Sequence, residues 1–117
     1  MALKKKIVDD ITVIELTGEL DHSGMAAVKN IINELLAVGK PKVVLNLRKV
    51  KMASLMHIGV LVEEMRKLRE RGGDLKLAGL GGTVSKVFDC IGTQDLFCRF
   101  GNVKDAINDF EAEDRKS

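Results

Sequence analysis

The stretch Val43-Val44-Leu45-Asn46-Leu47-Arg48-Lys49-Val50-Lys51-Met52-Ala53-Ser54-Leu55-Met56-His57-Ile58-Gly59-Val60-Leu61 decides how the chain is read. Its first part is nearly continuous in β-branched and apolar residues, the pattern of a strand covered on both faces. From Ile58 onward, Leu61, Val62, Met65 and Leu68 recur at helical spacing. Glu63, Glu64, Arg66, Lys67, Arg69 and Glu70 fall on the other face of that helix. Between strand and helix lies a turn carrying Met52, Ser54, Leu55, Met56 and His57. Such turns are where α/β proteins place functional residues. This one offers a single hydroxyl among apolar side chains.

Upstream, residues 4–8 and 11–16 are short β-branched runs around Asp9-Asp10, which reads as a hairpin. Residues 17–21 leave the second strand. A helix follows over 22–38, with Met25, Val28, Ile32, Leu35 and Leu36 inward, and Gly39 and Pro41 stop it. Downstream, Gly72-Gly73 ends the second helix and residues 74–80 form a strand. Thr83 is positioned to cap a short helix with Val84, Val87, Phe88 and Ile91 inward. Residues 96–100 read as a last strand. Asn102 caps a final helix with Val103, Ala106, Ile107 and Phe110 inside and Asp105 in its first turn. The order β-β-α-β-α-β-α-β-α predicts an α/β fold: a single domain with a mixed, mostly parallel sheet of about five strands and helices packed on it. The strand before Ser54 is expected to be central. The domain spans 1–110, and 111–117 is expected to be a charged, frayed tail.

Bulk composition narrows function. The chain has 117 residues, 45% hydrophobic and 31% charged, as expected of one soluble globular domain. Net charge is +2, aromatics make up 3%, and there is no Trp or Tyr, so no stacking platform or basic stripe supports nucleic-acid binding. Apolar runs are too short for membrane insertion. Lys4-Lys5-Lys6 is followed by Ile7-Val8-Asp9-Asp10 rather than an apolar run, so no signal peptide is read there and the expected location is the cytoplasm. Cys90 and Cys98 lack CxxC spacing and read as free, partly buried thiols. His22, His57 and the cysteines do not fall at ligand spacing, so no metal is expected, and nothing calls for a cofactor.

The candidate motifs divide unevenly. Gly72-Gly73 and Gly79-Leu80-Gly81-Gly82 fit neither a P-loop nor G-x-G-x-x-G, and a helix stop and a strand-to-helix turn explain them. Asp21, His22 and Ser23 are adjacent, so their side chains diverge and cannot relay a proton; Asp21 or Ser23 reads as an N-cap. Ser54 falls at the N-cap of the second helix, where its hydroxyl would accept an N–H from Met56 or His57. Met56 and His57 lie off the core stripe; exposed Met suits an adaptable binding surface, and His57 is expected to be a neutral surface residue. Gly59 costs its helix about 1 kcal/mol relative to Ala, which calls for a close backbone approach to compensate.

From residue 7 to about residue 110 the chain resembles the STAS domains of the bacterial anti-sigma-factor-antagonist type. Gly18-Glu19-Leu20-Asp21 is similar to the family's G-x-[LI]-D turn, and 43–47 to its V-V-L-D-L strand, with Asn46 at the Asp. Residues 73–80 resemble G-G-x-L-x-L-x-G-L, and 84–97 resemble V-x-x-x-L-x-x-x-G-L-x-x-L-F. The family's central motif, V-x-F-I-D-S-[ST]-G-L-G-x-L, matches at Val50, Ile58, Gly59 and Leu61. It departs where Ser54 stands at the Asp, Leu55 at the first Ser, Met56 at the phosphorylated Ser or Thr, and His57 at the following Gly.

The resemblance implies a non-catalytic, protein-binding regulatory module whose partner is an anti-sigma factor or serine-kinase-like protein. In the family, that partner phosphorylates the acceptor hydroxyl and the phosphorylated form is released. Met56 has no hydroxyl, so the usual position is expected to be silent, with Ser54 the one nearby hydroxyl and its capping bond competing with presentation to a kinase. The expected partner-binding residues are Asp21, Ser54, Leu55, Met56 and His57; self-association as a weak homodimer stays open. Two other readings remain: a STAS subunit of a signalling or lipid-transport assembly, and a small-molecule or nucleotide-binding sensor. An enzyme ranks below both, because the sequence places no nucleophile–base pair or metal constellation.

Overall fold

The computed structural model describes residues 2–90 and 96–116. Its elements are β1 (Ala2–Val8), β2 (Ile11–Glu19), α1 (His22–Ala37), β3 (Lys42–Met52), α2 (Leu55–Glu70), β4 (Asp74–Ala78), α3 (Gly82–Cys90), β5 (Arg99–Phe100) and α4 (Val103–Lys116). The strands form one sheet in the order β1-β2-β3-β4-β5. The β1–β2 pair is antiparallel and the other pairs are parallel. Asp9 makes the hairpin tight by taking a left-handed conformation, φ 56°, as a two-residue hairpin turn requires.

Strand β3 is central because both its faces are covered. Val43, Leu45 and Leu47 join the core under α1, α2 and α3. Val44 faces the other way, with Ile11, Val13, Ala78, Ala106 and Phe110 beneath α4. This two-sided burial explains the unbroken apolar run. At the end of α2, Gly73 is required by space: a Cβ there would lie 1.9 Å from the Pro41 carbonyl oxygen. Backbone there packs against backbone, and Asp74 N donates to that same oxygen at 3.1 Å.

Several boundaries differ from expectation. Strand β2 does not end at residue 16; it runs to Glu19, following β3 through register shifts at Glu15/Thr17 and Gly18/Glu19. The shift is eased by Gly18 at φ 101°. Helix α3 begins at Gly82, which places Thr83 inside its first turn rather than at a cap. Ile91, expected inward on that helix, lies outside the described residues. Strand β5 has two residues instead of five, pairing Leu77 with Arg99 and Ala78 with Phe100. Cys90 is exposed and Cys98 partly buried, both free.

Two charged residues lie where the sequence pattern did not put them. Glu64, expected on the outer face of α2, is 1% exposed. It falls three residues after Leu61 and four before Leu68, on the buried stripe, with one oxygen bonded to Lys67 at 2.9 Å. The segment from residue 111 on, expected to be a frayed tail, is helical through Lys116. Nonlocal ion pairs hold it: Lys42 to Asp114 at 2.6 Å, and Lys76 to Asp109 at 2.5 Å and Glu113 at 2.9 Å. Lys76 is fully buried on β4, its ammonium 4.4 Å from the centre of the Phe110 ring. Burial pulls the Lys76 pKa down, but the bonds to Asp109 and Glu113 outweigh it, and the net shift is upward. The bond to Asp114 likewise leads the upward shift at Lys42.

Candidate functional site

Parallel pairing of β2 and β3 brings their C-terminal ends, and the starts of α1 and α2, to one edge of the sheet. The Leu20 N–H donates to the Met52 carbonyl at 2.9 Å and ties the two turns together. Asp21 is the N-cap of α1, its Oδ1 accepting from Gly24 N at 2.7 Å. Ser54 is the N-cap of α2, its Oγ accepting from His57 N at 3.3 Å. Each cap satisfies an otherwise orphaned first-turn donor.

The Ser54 hydroxyl also lies 2.9 Å from His57 Nδ1. The His57 ring meets His22, the first residue of α1, edge to face at a centroid distance of 5.1 Å. His57 is therefore half-buried rather than a free surface residue, its Nε2 shielded from solvent. The Ser54–His57 contact spans one turn of a single helix, and among the described residues no cavity opens over it. Its geometry is that of a cap: the hydroxyl fixes the first turn and the imidazole packs between two helix starts.

The apolar side chains of the turn do the opposite. Met52 is 56% exposed, Leu55 53% and Met56 66%. They lie within five residues of one another in sequence, and the fold leaves each of them exposed. Gly59 follows on the same face of α2. Among the described residues the close backbone approach expected to compensate for it is absent: a Cβ at Gly59 would meet nothing within 4 Å.

The expected residues thus gather at two adjoining turns, with Asp21 and Ser54 as caps and Leu55, Met56 and His57 in the first turn of α2. Sequence reasoning weighed His22 only as a triad or metal residue and named Met52 in the turn, but left both out of the set. The signal was topological: in a parallel pair, residues following each strand emerge side by side, so position 22 lies near position 57. Among the described residues no group of three or more His, Cys, Asp or Glu is arranged to hold a metal, and no helix is long and apolar enough to cross a membrane.

The sequence profile of the STAS domain family matches residues 2–109. Among solved structures, the chain is similar to the anti-sigma factor antagonist SpoIIAA in its unphosphorylated form, with TM-score 0.83, 24% identity, and 95% of this chain and 97% of that one covered. It is also similar to the Bacillus cell fate determinant SpoIIAA in its phosphorylated form, with TM-score 0.75, 23% identity and 93% and 99% covered. A variant of RsbS from Moorella thermoacetica aligns with TM-score 0.84 at 17% identity, over 98% and 99% of the two chains.

Proposed function

Because the chain belongs to the STAS domain family, we propose that it is a non-catalytic cytoplasmic regulator of the anti-sigma-factor-antagonist kind. It docks a serine-kinase-like anti-sigma factor through the β3–α2 turn, and phosphate at position 56 does not switch it. One observation carries this reading: Met56, which the motif resemblance sets at the family's acceptor hydroxyl, is 66% exposed, and Leu55 and Met52 close by in sequence are exposed too. Exposed apolar side chains gathered in one turn cost solubility and suit a binding surface, and Met adapts to a partner's contours. A thioether cannot accept a phosphoryl group, so the patch stays apolar whatever the kinase does. Ser54, Asp21 and His57 hold the two helix starts that present it.

The test is whether ATP dissolves the complex. The purified serine-kinase-like anti-sigma factors of the source organism are titrated against the protein with and without Mg-ATP, and modification is read by mass spectrometry. Wild type is expected to stay bound and unmodified over residues 55–57. Met56→Ser restores an acceptor and is expected to be phosphorylated and released. Stoichiometric phosphate on Ser54 of the wild type would overturn the unswitched reading and install a displaced switch.

A further inference from the structure

Leu55, Met56, Gly59, Glu63 and Arg66 lie on one outward face of α2 by helical spacing, and all are exposed. Residues 52–62 contain no Asp, Glu, Lys or Arg. Lys51 precedes this run and Glu63 follows it, with Arg66 held to Glu63 at 3.5 Å. The face therefore has an uncharged centre and a charged rim, the usual anatomy of a protein interface. Gly59 sits inside that centre. Its backbone is ordinary helix, a Cβ there would meet nothing within 4 Å, and helix propensity disfavours glycine. Among the described residues, nothing asks for a glycine at this position.

We infer that Gly59 is where the docked partner passes closest to α2: an uncharged, apolar segment of the anti-sigma factor seats against Met52, Leu55 and Met56 and crosses the helix over Gly59. This rests on the docking reading above. The segment is apolar where it covers Leu55, Met56 and Gly59, because residues 52–62 offer no charge to pair with one buried there; Glu19, exposed and paired with Met52 across the strands, belongs to the charged rim. It comes close because a missing side chain lets two backbones approach at the short end of helix-packing distances. A Cβ would hold the segment off while improving the isolated helix, so binding and stability move in opposite directions.

The experiment measures melting temperature and calorimetric affinity for Gly59→Ala, Gly59→Gln, Met56→Asp and Glu70→Ala. The probe is the purified serine-kinase-like anti-sigma factor that binds wild type. Gly59→Ala is expected to melt about 3 °C higher and to bind about tenfold more weakly. Gly59→Gln is expected to fold and to bind about a hundredfold more weakly, a loss of about 2.7 kcal/mol. Glu70→Ala, at the far end of the helix, leaves binding unchanged. A lower melting temperature for Gly59→Ala gives the glycine an internal role and overturns the inference. If Met56→Asp abolishes binding while Gly59→Gln binds like wild type, the docking reading stands and the close approach falls. If both bind like wild type, or if none of these factors binds wild type, both fall together.

Discussion

The β3–α2 turn and the α4 face treat polarity in opposite ways. At the turn, Met52, Leu55 and Met56 stand in water. Beneath α4, a lysine lies at 0% exposure. The lysine has an internal explanation: Lys76 bonds Asp109 and Glu113, lies 4.0 Å from Asp74, and packs its ammonium against Phe110. Among the described residues, the exposed methionines and leucine have none. A buried charge surrounded by its own partners is part of how the molecule folds. An exposed apolar cluster is what the docking proposal takes as its contact surface.

The largest expected effect tests the internal side of that contrast. Lys76→Ala removes a buried stem and its ion pairs, and is expected to cost about 3 kcal/mol in urea unfolding. Lys76→Met keeps the stem's volume against Phe110. Asp109 and Glu113 are 40% and 56% exposed, so they return to water when the lysine is gone. Lys76→Met is therefore expected to unfold within about 1 kcal/mol of wild type. A loss as large as that of the alanine variant would mean that the charge, not the packing, holds α4.

At the turn itself, the caps separate folding from docking. Ser54→Ala is expected to lose about 1 kcal/mol, whereas Ser54→Asp keeps an acceptor at the N-cap and stays within about 0.5 kcal/mol of wild type. Equal stability of the two variants would show that the hydroxyl does not cap α2. Leu55→Ser, which removes a side chain already 53% exposed, is expected to change unfolding by no more than about 0.5 kcal/mol. A larger loss would place Leu55 in the core.

The smallest effect is in pH. The Lys42 and Lys76 pKa values lie above the ordinary lysine value of 10.5. A raised folded-state pKa contributes stability that is fully present below the unfolded value and is lost as pH rises through the folded one. Stability from these clusters is thus expected to be flat across neutral pH and to fall only above 10.5. Thermal melts at increasing pH check this, and a fall beginning well below that value would contradict the ion-pair geometry.

What was legible in the sequence was local. The periodicity of β3 and α2 and the caps at Asp21, Ser54 and Asn102 each depend on residues within a few positions, and they appear where they were read. What was not legible depends on distant partners. The last turns of α4 are held by lysines on β3 and β4. The bulges in β2 follow its pairing with β3. Glu64 lies on the buried stripe although its charge grouped it with the outer face. The His22–His57 contact needs parallel strands to bring two helix starts together. Of the site, the residue types were visible beforehand. Their division into helix caps and exposed apolar side chains needed the fold.

The most direct measurement is calorimetry of Met56→Asp with the purified anti-sigma factor, beside a melt of the free protein. An acid in the first turn of a helix is mildly favourable, so the free variant is expected to melt like wild type. At the interface the change removes buried apolar area and introduces a charge that must be desolvated. Binding is therefore expected to weaken at least about a hundredfold, or about 2.7 kcal/mol. Wild-type affinity in a folded Met56→Asp variant would place the interface elsewhere, and an unfolded variant would make Met56 a residue of the core.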